Sequence, residues 1–271
     1  MTISILGCGW YGLPLAKALV NDKHRVKGST TSADRLAVLK EAGIEPFLLN
    51  LTAEQATFPD QFFDTDMLII AIPPKSRSAE GAEYLPKLEK VVERIRWHQI
   101  QKVILISSTG VYADRNLVVN EDTPPEPDTT PGKILLEAEK LFRQQSNFRT
   151  TIIRFAGLVG PNRHPGRFFA GKQDIANGLA PVNLIHLDDC IGITQNIINH
   201  EVYGHTFNAV TPHHPSRADF YTRAAEEAGL PLPGFILKLD NWKIVESKDV
   251  SPILGYQYQV DNWYTALADK F

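Results

Sequence analysis

A chain of 271 residues, 43% hydrophobic and 22% charged, is long enough to bury a sizeable core and too apolar for a disordered segment. Its net charge of −3, with no block of like charges, gives no basis for nucleic acid or an anionic membrane as partner. The two cysteines, Cys8 and Cys190, are too few for a disulfide framework and lack metal-ligand spacing. No metal site is expected, and a reduced, cytoplasmic setting fits.

The first element is an apolar run, Ile3–Leu6, that leads into Gly7-Cys8-Gly9-Trp10-Tyr11-Gly12 and then a helical pattern over Leu13–Val20. Without a basic leader, and with Gly9, Gly12 and Pro14 inside it, this stretch reads as a buried first strand rather than a signal peptide or membrane span. Strand, glycine turn and helix in this order form a dinucleotide-binding unit. The first glycine makes the turn and the second lets backbone approach a diphosphate. The third lets helix and strand pack closely, and the helix N-terminus offers N–H donors and partial positive charge. Gly7, Gly9, Trp10, Tyr11 and Gly12 are therefore expected at the cofactor.

Further strands are expected at Arg25–Ser29, Glu45–Leu49, Met67–Ile72, Lys102–Ser107 and Thr151–Arg154, with helices at Ala33–Ala42, Ala82–Arg96 and Lys133–Gln145. Continuous apolar runs such as MLIIAI and VILIS suit parallel strands covered on both faces. The fold class is α/β, a doubly wound parallel Rossmann sheet with a small C-terminal substrate cap. After Phe155 a Gly/Pro/Arg-rich loop runs over 157–178, followed by a strand in VNLIHL, a helix over Asp188–Asn199 and a strand near Thr206–Val210. A last helix is expected near Ala218–Ala228. Residues 1–154 and 183–210 are assigned to the nucleotide domain, and 155–182 and 211–271 to the cap. The Pro- and acid-rich stretch Asp114–Pro131 is long enough to suspect function.

The tip of the second strand, Ser29-Thr30-Thr31-Ser32, carries no acid, and Arg35 follows one turn into the next helix. Hydroxyls and an arginine suit a ribose 2′-phosphate where a carboxylate would repel it, so NADP is expected in preference to NAD. In the bland reading Ser32 caps the helix and Arg35 is solvated. Ile72, Pro73 and Pro74, with Lys75, end the fourth strand where a wall of the adenosine pocket belongs.

The fifth strand runs into Ser107-Ser108-Thr109-Gly110-Val111-Tyr112. Further on stand Arg154-Phe155-Ala156-Gly157-Leu158-Val159-Gly160-Pro161, Leu184-Ile185-His186-Leu187-Asp188-Asp189, and Ser247-Lys248 with Leu254-Gly255. Together with the N-terminal glycines, these resemble the extended short-chain dehydrogenases/reductases, specifically the NAD-dependent epimerase/dehydratase group, over nearly the whole chain. The resemblance implies that Ser108 hydrogen-bonds the substrate oxygen. It also implies a Tyr-x-x-x-Lys pair at the next helix, the tyrosine as general acid/base and the lysine lowering its pKa. Pro131 and Leu135 stand in those two places, and neither can carry a proton. Thr130 as N-cap with Pro131 at the first helical position is a favoured helix start instead.

The chain thus resembles an atypical bacterial branch that also shares the run Gly160–Lys172, GPNRHPGRFFAGK. If it is an enzyme, another group moves the proton. Tyr112, four residues after Ser108, is the candidate by sequence logic, and Lys133 is placed to tune it or to bind cofactor. Arg163, His164 and Arg167, with Lys172, form a basic loop suited to an anionic substrate, and many members of the group act on nucleotide-linked sugars. The expected function is nicotinamide hydride transfer on such a substrate. A non-catalytic NADP(H)-binding sensor is the alternative. The family also implies a homodimer. Asp188 reads as a first-turn acid, His186 as a core histidine, and His213-His214 as surface residues.

Overall fold

The computed structural model describes residues 1–52, 58–74 and 81–271; Lys75, expected at the fourth strand's end, lies outside them. From the N-terminus, β1 (Thr2–Leu6), α1 (Gly12–Asn21), β2 (Arg25–Thr30), α2 (Arg35–Glu41) and β3 (Glu45–Leu48) alternate as expected. A short α3 (Asp60–Phe63) precedes β4 (Met67–Ile70), α4 (Tyr84–Trp97) and β5 (Lys102–Ser108). Then come β6 (Leu117–Val119), α5 (Thr130–Arg143), β7 (Arg149–Phe155), β8 (Gly157–Val159), β9 (Leu184–His186) and α6 (Leu187–Asn199). The chain closes with β10 (Thr206–Ala209), α7 (Arg217–Glu227), β11 (Lys243–Val245), α8 (Val250–Leu254) and α9 (Trp263–Asp269).

The central sheet is seven-stranded in the order β10-β7-β5-β4-β1-β2-β3. Order reverses at β1, which pairs in parallel with β4 on one side (Ile3↔Met67, Ile5↔Ile69) and with β2 on the other (Ile3↔Val26, Ile5↔Gly28). This is the doubly wound Rossmann arrangement, whose ligands bind at such a switch point outside the strand carboxyl ends. The apolar runs explain it: Ile3, Ile5, Met67, Leu68, Ile69, Ile70, Val103 and Ile104 are all wholly buried, so neither face of these strands meets water.

By contact clustering the chain divides into one unit of residues 1–111, 127–153 and 197–206 and a second of 112–126, 154–196 and 207–271. The Asp114–Pro131 stretch, of which residues 114–126 belong to the second unit, is not all irregular: Leu117–Val119 pairs in parallel with Lys243–Val245, and the Tyr112 hydroxyl donates to the Asn120 carbonyl. The 157–178 loop likewise contains β8, paired with β9, and a 3-10 turn at Pro165–Arg167. That turn packs on α7 so closely that a Cβ on Gly166 would lie 2.3 Å from the Ala224 carbonyl oxygen. A core of Val159, Leu184, Phe220, Trp263 and Leu267 holds the unit together.

Candidate functional site

The glycine turn is built by steric necessity. Gly7 has φ +102°, in the region that favours glycine, and a Cβ there would meet Ile72 Cγ2 at 2.9 Å. A Cβ on Gly12, the first residue of α1, would sit 2.2 Å from the Gly7 carbonyl oxygen, so the helix starts hard against the turn. Gly9 differs: among the described residues a Cβ there would meet nothing within 4 Å. The space beside its Cα is open, while its N–H is given to the Gly7 carbonyl at 2.8 Å and its carbonyl takes the Leu13 N–H at 3.1 Å. The Gly7 N–H donates to Ser29 Oγ at 2.9 Å and the Cys8 N–H to the Ser29 carbonyl at 2.8 Å, tying the turn to β2. The Tyr11 side chain makes no cap hydrogen bond at the start of α1.

Around the turn lies a cleft of about 210 Å³, lined by Gly7, Gly9, Ser29, Thr30, Thr31, Arg35, Ile72, Pro73 and Pro74. Nine of the expected cofactor residues thus share one cavity wall. Trp10, Tyr11 and Gly12 lie beside it, at the start of α1, while exposed Lys133 on α5 does not line it. Sequence reasoning did not single out Leu6, Leu49, Asn50, Leu51, Tyr84 and Lys87, which complete the wall. The end of β1, the segment after β3 and the first turn of α4, all distant in sequence, supply them. Cys8 also lines the cleft, but burial pushes its thiol pKa up to about 12, so it stays protonated and inert. Ser32 is not a side-chain cap of α2: the Arg35 N–H bonds the Ser32 carbonyl, and the Ser32 N–H donates to Thr30 Oγ1. These groups fit a dinucleotide: an open glycine face, two apolar walls for a base, and an arginine with two threonines at the β2 tip.

At the end of β5, Ser108 Oγ accepts the Gly110 N–H at 3.1 Å, and its own proton goes to no partner among the described residues. Neighbouring Ser107 points the other way and donates to Glu139 Oε1 at 2.7 Å; both are buried. This pair, invisible in the sequence pattern, fastens α5 under β5. The cap of α5 is Thr129, whose Oγ1 accepts the Gly132 N–H at 3.2 Å, and not Thr130 as expected. Pro131 therefore falls at the second helical position, still within the turn whose N–H groups have no helical acceptor. A Cβ on Gly132 would be 2.3 Å from the Gly110 carbonyl oxygen, so α5 begins in contact with the turn after Ser108. Leu135 faces the core, largely buried.

Tyr112 is 2% exposed. Its hydroxyl receives an N–H from Arg154 Nη1 at 2.6 Å and stands 2.9 Å from the Asn120 carbonyl and 3.2 Å from Asn208 Oδ1. The Arg154 guanidinium also lies 5.1 Å from the ring centroid. Burial raises the Tyr112 pKa above its ordinary value of 10 in spite of that cation. Close by, the half-buried Glu121 carboxylate accepts the Asn208 and Lys248 backbone N–H groups at 2.8 and 2.9 Å, and burial raises its pKa too.

The basic loop lies in the second unit. Arg163 and Arg167 are exposed, while His164 is half-buried, takes the Gly166 N–H on Nδ1 at 3.1 Å and meets the Phe271 ring edge-on. Burial, and then Arg167, lower the His164 pKa. Lys172 is held at the Phe168 carbonyl. His186 is buried; its Nδ1 accepts the Asp188 N–H at 3.2 Å, in the first turn of α6 where the acid was expected. Asp189 is wholly buried and accepts the Tyr256 hydroxyl and the Gln259 and Val260 N–H groups, which secures the C-terminal segment. His213 and His214 are not free surface residues: each ring is half-buried, His213 Nδ1 taking the Trp263 N–H and His214 Nδ1 lying 2.9 Å from the Val182 carbonyl. Among the described residues no helix is long and apolar enough to cross a membrane.

A family model described as NAD(P)H-binding matches residues 7–180. The chain is 38% identical over 263 residues to protein YeeZ of Escherichia coli (strain K12), spanning 95% of both chains. Its fold matches a functionally unknown conserved protein from Silicibacter pomeroyi DSS with a TM-score of 0.82 at 24% identity, covering 98% of this chain and 96% of that one. It also matches the UDP-glucuronic acid 4-epimerase of Bacillus cereus, in complex with NAD, with a TM-score of 0.80 at 18% identity and coverages of 99% and 96%. The fold is thus that of the NAD-dependent epimerase/dehydratase group.

Proposed function

From the premise that this chain belongs to the NAD(P)H-binding family, we propose that it is a nicotinamide-dependent oxidoreductase, epimerase or dehydratase acting on an anionic substrate, with NADP preferred over NAD. The observation that carries the reading is the glycine turn: Gly9 open to ligand between Gly7 and Gly12, on a cleft with Arg35 and no carboxylate among its described lining residues. Gly7, Gly9 and the start of α1 would hold the diphosphate, Thr30, Thr31 and Arg35 the adenosine ribose and its 2′-phosphate, and Ile72, Pro73 and Pro74 the base. When bound, the nicotinamide supplies or accepts a hydride.

Ser108 is the residue we assign to the substrate oxygen, because its hydroxyl proton is uncommitted at a strand end. The oxygen would take that hydrogen bond as charge develops on it. Tyr112, the sequence candidate for proton transfer, serves in this reading as a structural residue. Its hydroxyl is held between Arg154, Asn120 and Asn208, and burial keeps the phenol neutral well past physiological pH. The basic loop of Arg163, His164 and Arg167 carries guanidinium groups that suit a substrate phosphate or carboxylate. A sugar nucleotide, the substrate named for the Bacillus cereus neighbour, is one compound class with that charge. The test follows NADPH absorbance and product formation with a panel of sugar nucleotides and anionic carbonyl compounds. Turnover that Ser108→Ala abolishes supports the reading; wild-type turnover that Ser108→Ala leaves unchanged overturns the role of Ser108.

A further inference from the structure

Lys87 stands on the cleft although no motif marks it. The Tyr84 hydroxyl donates to the Ile72 carbonyl at 3.2 Å and so clips the first turn of α4 to the loop that leaves β4. Lys87, three residues on, shares that helix face, and both side chains line the cleft. The lysine side chain is only 14% exposed, and its Nζ lies 2.9 Å from the half-exposed Glu83 carboxylate. A helical pair of this kind holds an ammonium weakly, and Glu83 is its one ion-pair partner among the described residues, so N–H donors remain there for a ligand.

The sheet order assigns the two cations different places. In β4-β1-β2 the glycine turn follows the middle strand; Lys87 comes from the β4 side and Arg35 from the β2 side. Backbone N–H groups at the turn offer only partial charges to a dianionic diphosphate. We propose that Lys87 supplies the full positive charge for the ligand's diphosphate, while Arg35 reads the ribose side. The inference rests on the dinucleotide reading above and names a residue for one part of it.

Calorimetric titration of Lys87→Gln and Lys87→Arg with NAD, NADP and adenosine tests it. Lys87→Gln should weaken NAD and NADP alike, by about tenfold to a hundredfold, as expected for one charge-assisted hydrogen bond. Adenosine, which lacks phosphate, should bind both variants as it binds wild type, and Lys87→Arg should restore most of the dinucleotide affinity. Unchanged dinucleotide affinity in Lys87→Gln overturns the proposal. So does selective loss of NADP, which would move Lys87 to the 2′-phosphate, or an equal loss of adenosine, which would make its role one of packing. If wild type binds neither dinucleotide, the cofactor reading falls and this proposal with it. Wild-type binding with an indifferent Lys87 overturns this proposal alone.

Discussion

A Cβ on Gly12 would lie 2.2 Å from the carbonyl oxygen of Gly7, a distance that leaves no room for any side chain. A Cβ on Gly9, between them, would meet nothing within 4 Å among the described residues. The two positions therefore separate folding from binding. Gly12→Ala should cost about 3 kcal/mol of stability, since backbone must move to admit the methyl group. Gly9→Ala should change stability by less than about 0.5 kcal/mol yet weaken dinucleotide binding, because its methyl occupies the ligand's space. Thermal melts paired with NADPH titration of both variants check this; equal destabilisation by the two would contradict it.

Arg35 is the cation at the β2 tip, with Thr30 and Thr31 beside it on the cleft wall. Arg35→Gln should lower NADP affinity by about tenfold to a hundredfold and leave NAD affinity nearly unchanged. The ratio of the two dissociation constants, measured on one preparation, is the readout. An unchanged ratio would place the 2′-group elsewhere.

Tyr112→Phe removes a hydroxyl that accepts from buried Arg154 and faces the Asn120 carbonyl and Asn208 Oδ1. Leaving those buried groups short of a partner should cost about 1–3 kcal/mol. With a substrate in hand, turnover per folded molecule should persist. A collapse in kcat with unchanged thermal stability would instead make the phenol the proton carrier.

Histidines set the acid side of the stability profile. Burial is the first cause that lowers the pKa values of His164, His186 and His214 below the ordinary 6.5. Each binds its proton more readily in the unfolded chain, so their contribution is complete above pH 6.5 and is lost as pH falls through the depressed folded values. Stability should therefore fall on acidification below that point. His186→Gln, whose side-chain oxygen can still accept the Asp188 N–H, should flatten the slope. Urea midpoints measured at pH 7.5 and 5.5 decide it: an unaltered slope in the variant would remove His186 from the effect.

Much of this architecture was legible because the strands are continuous apolar runs and the glycine turn sits where β1 ends. The nine expected lining residues lie near strand tips, where the parallel sheet gathers them. What stayed hidden depends on partners distant in sequence. Leu117–Val119 pairs with Lys243–Val245 although Leu117 and Val118 are mostly exposed, so no buried period betrayed the strand. The four-residue α3 is too short for a helical period. Ser107 and Glu139 look like solvated polar residues until β5 and α5 are packed. The Thr129 cap differs from the expected Thr130 by one residue, a choice made by which hydroxyl reaches the Gly132 N–H. Lys87 resembles any helical lysine until Tyr84 fixes the face it shares.

The most direct measurement is a calorimetric titration of the purified protein with NADPH and NADH. Saturable binding is expected at one site per chain, tighter for NADPH, and lost in Gly9→Ala with the fold intact. Failure to bind either dinucleotide, or binding indifferent to Gly9→Ala, would contradict it.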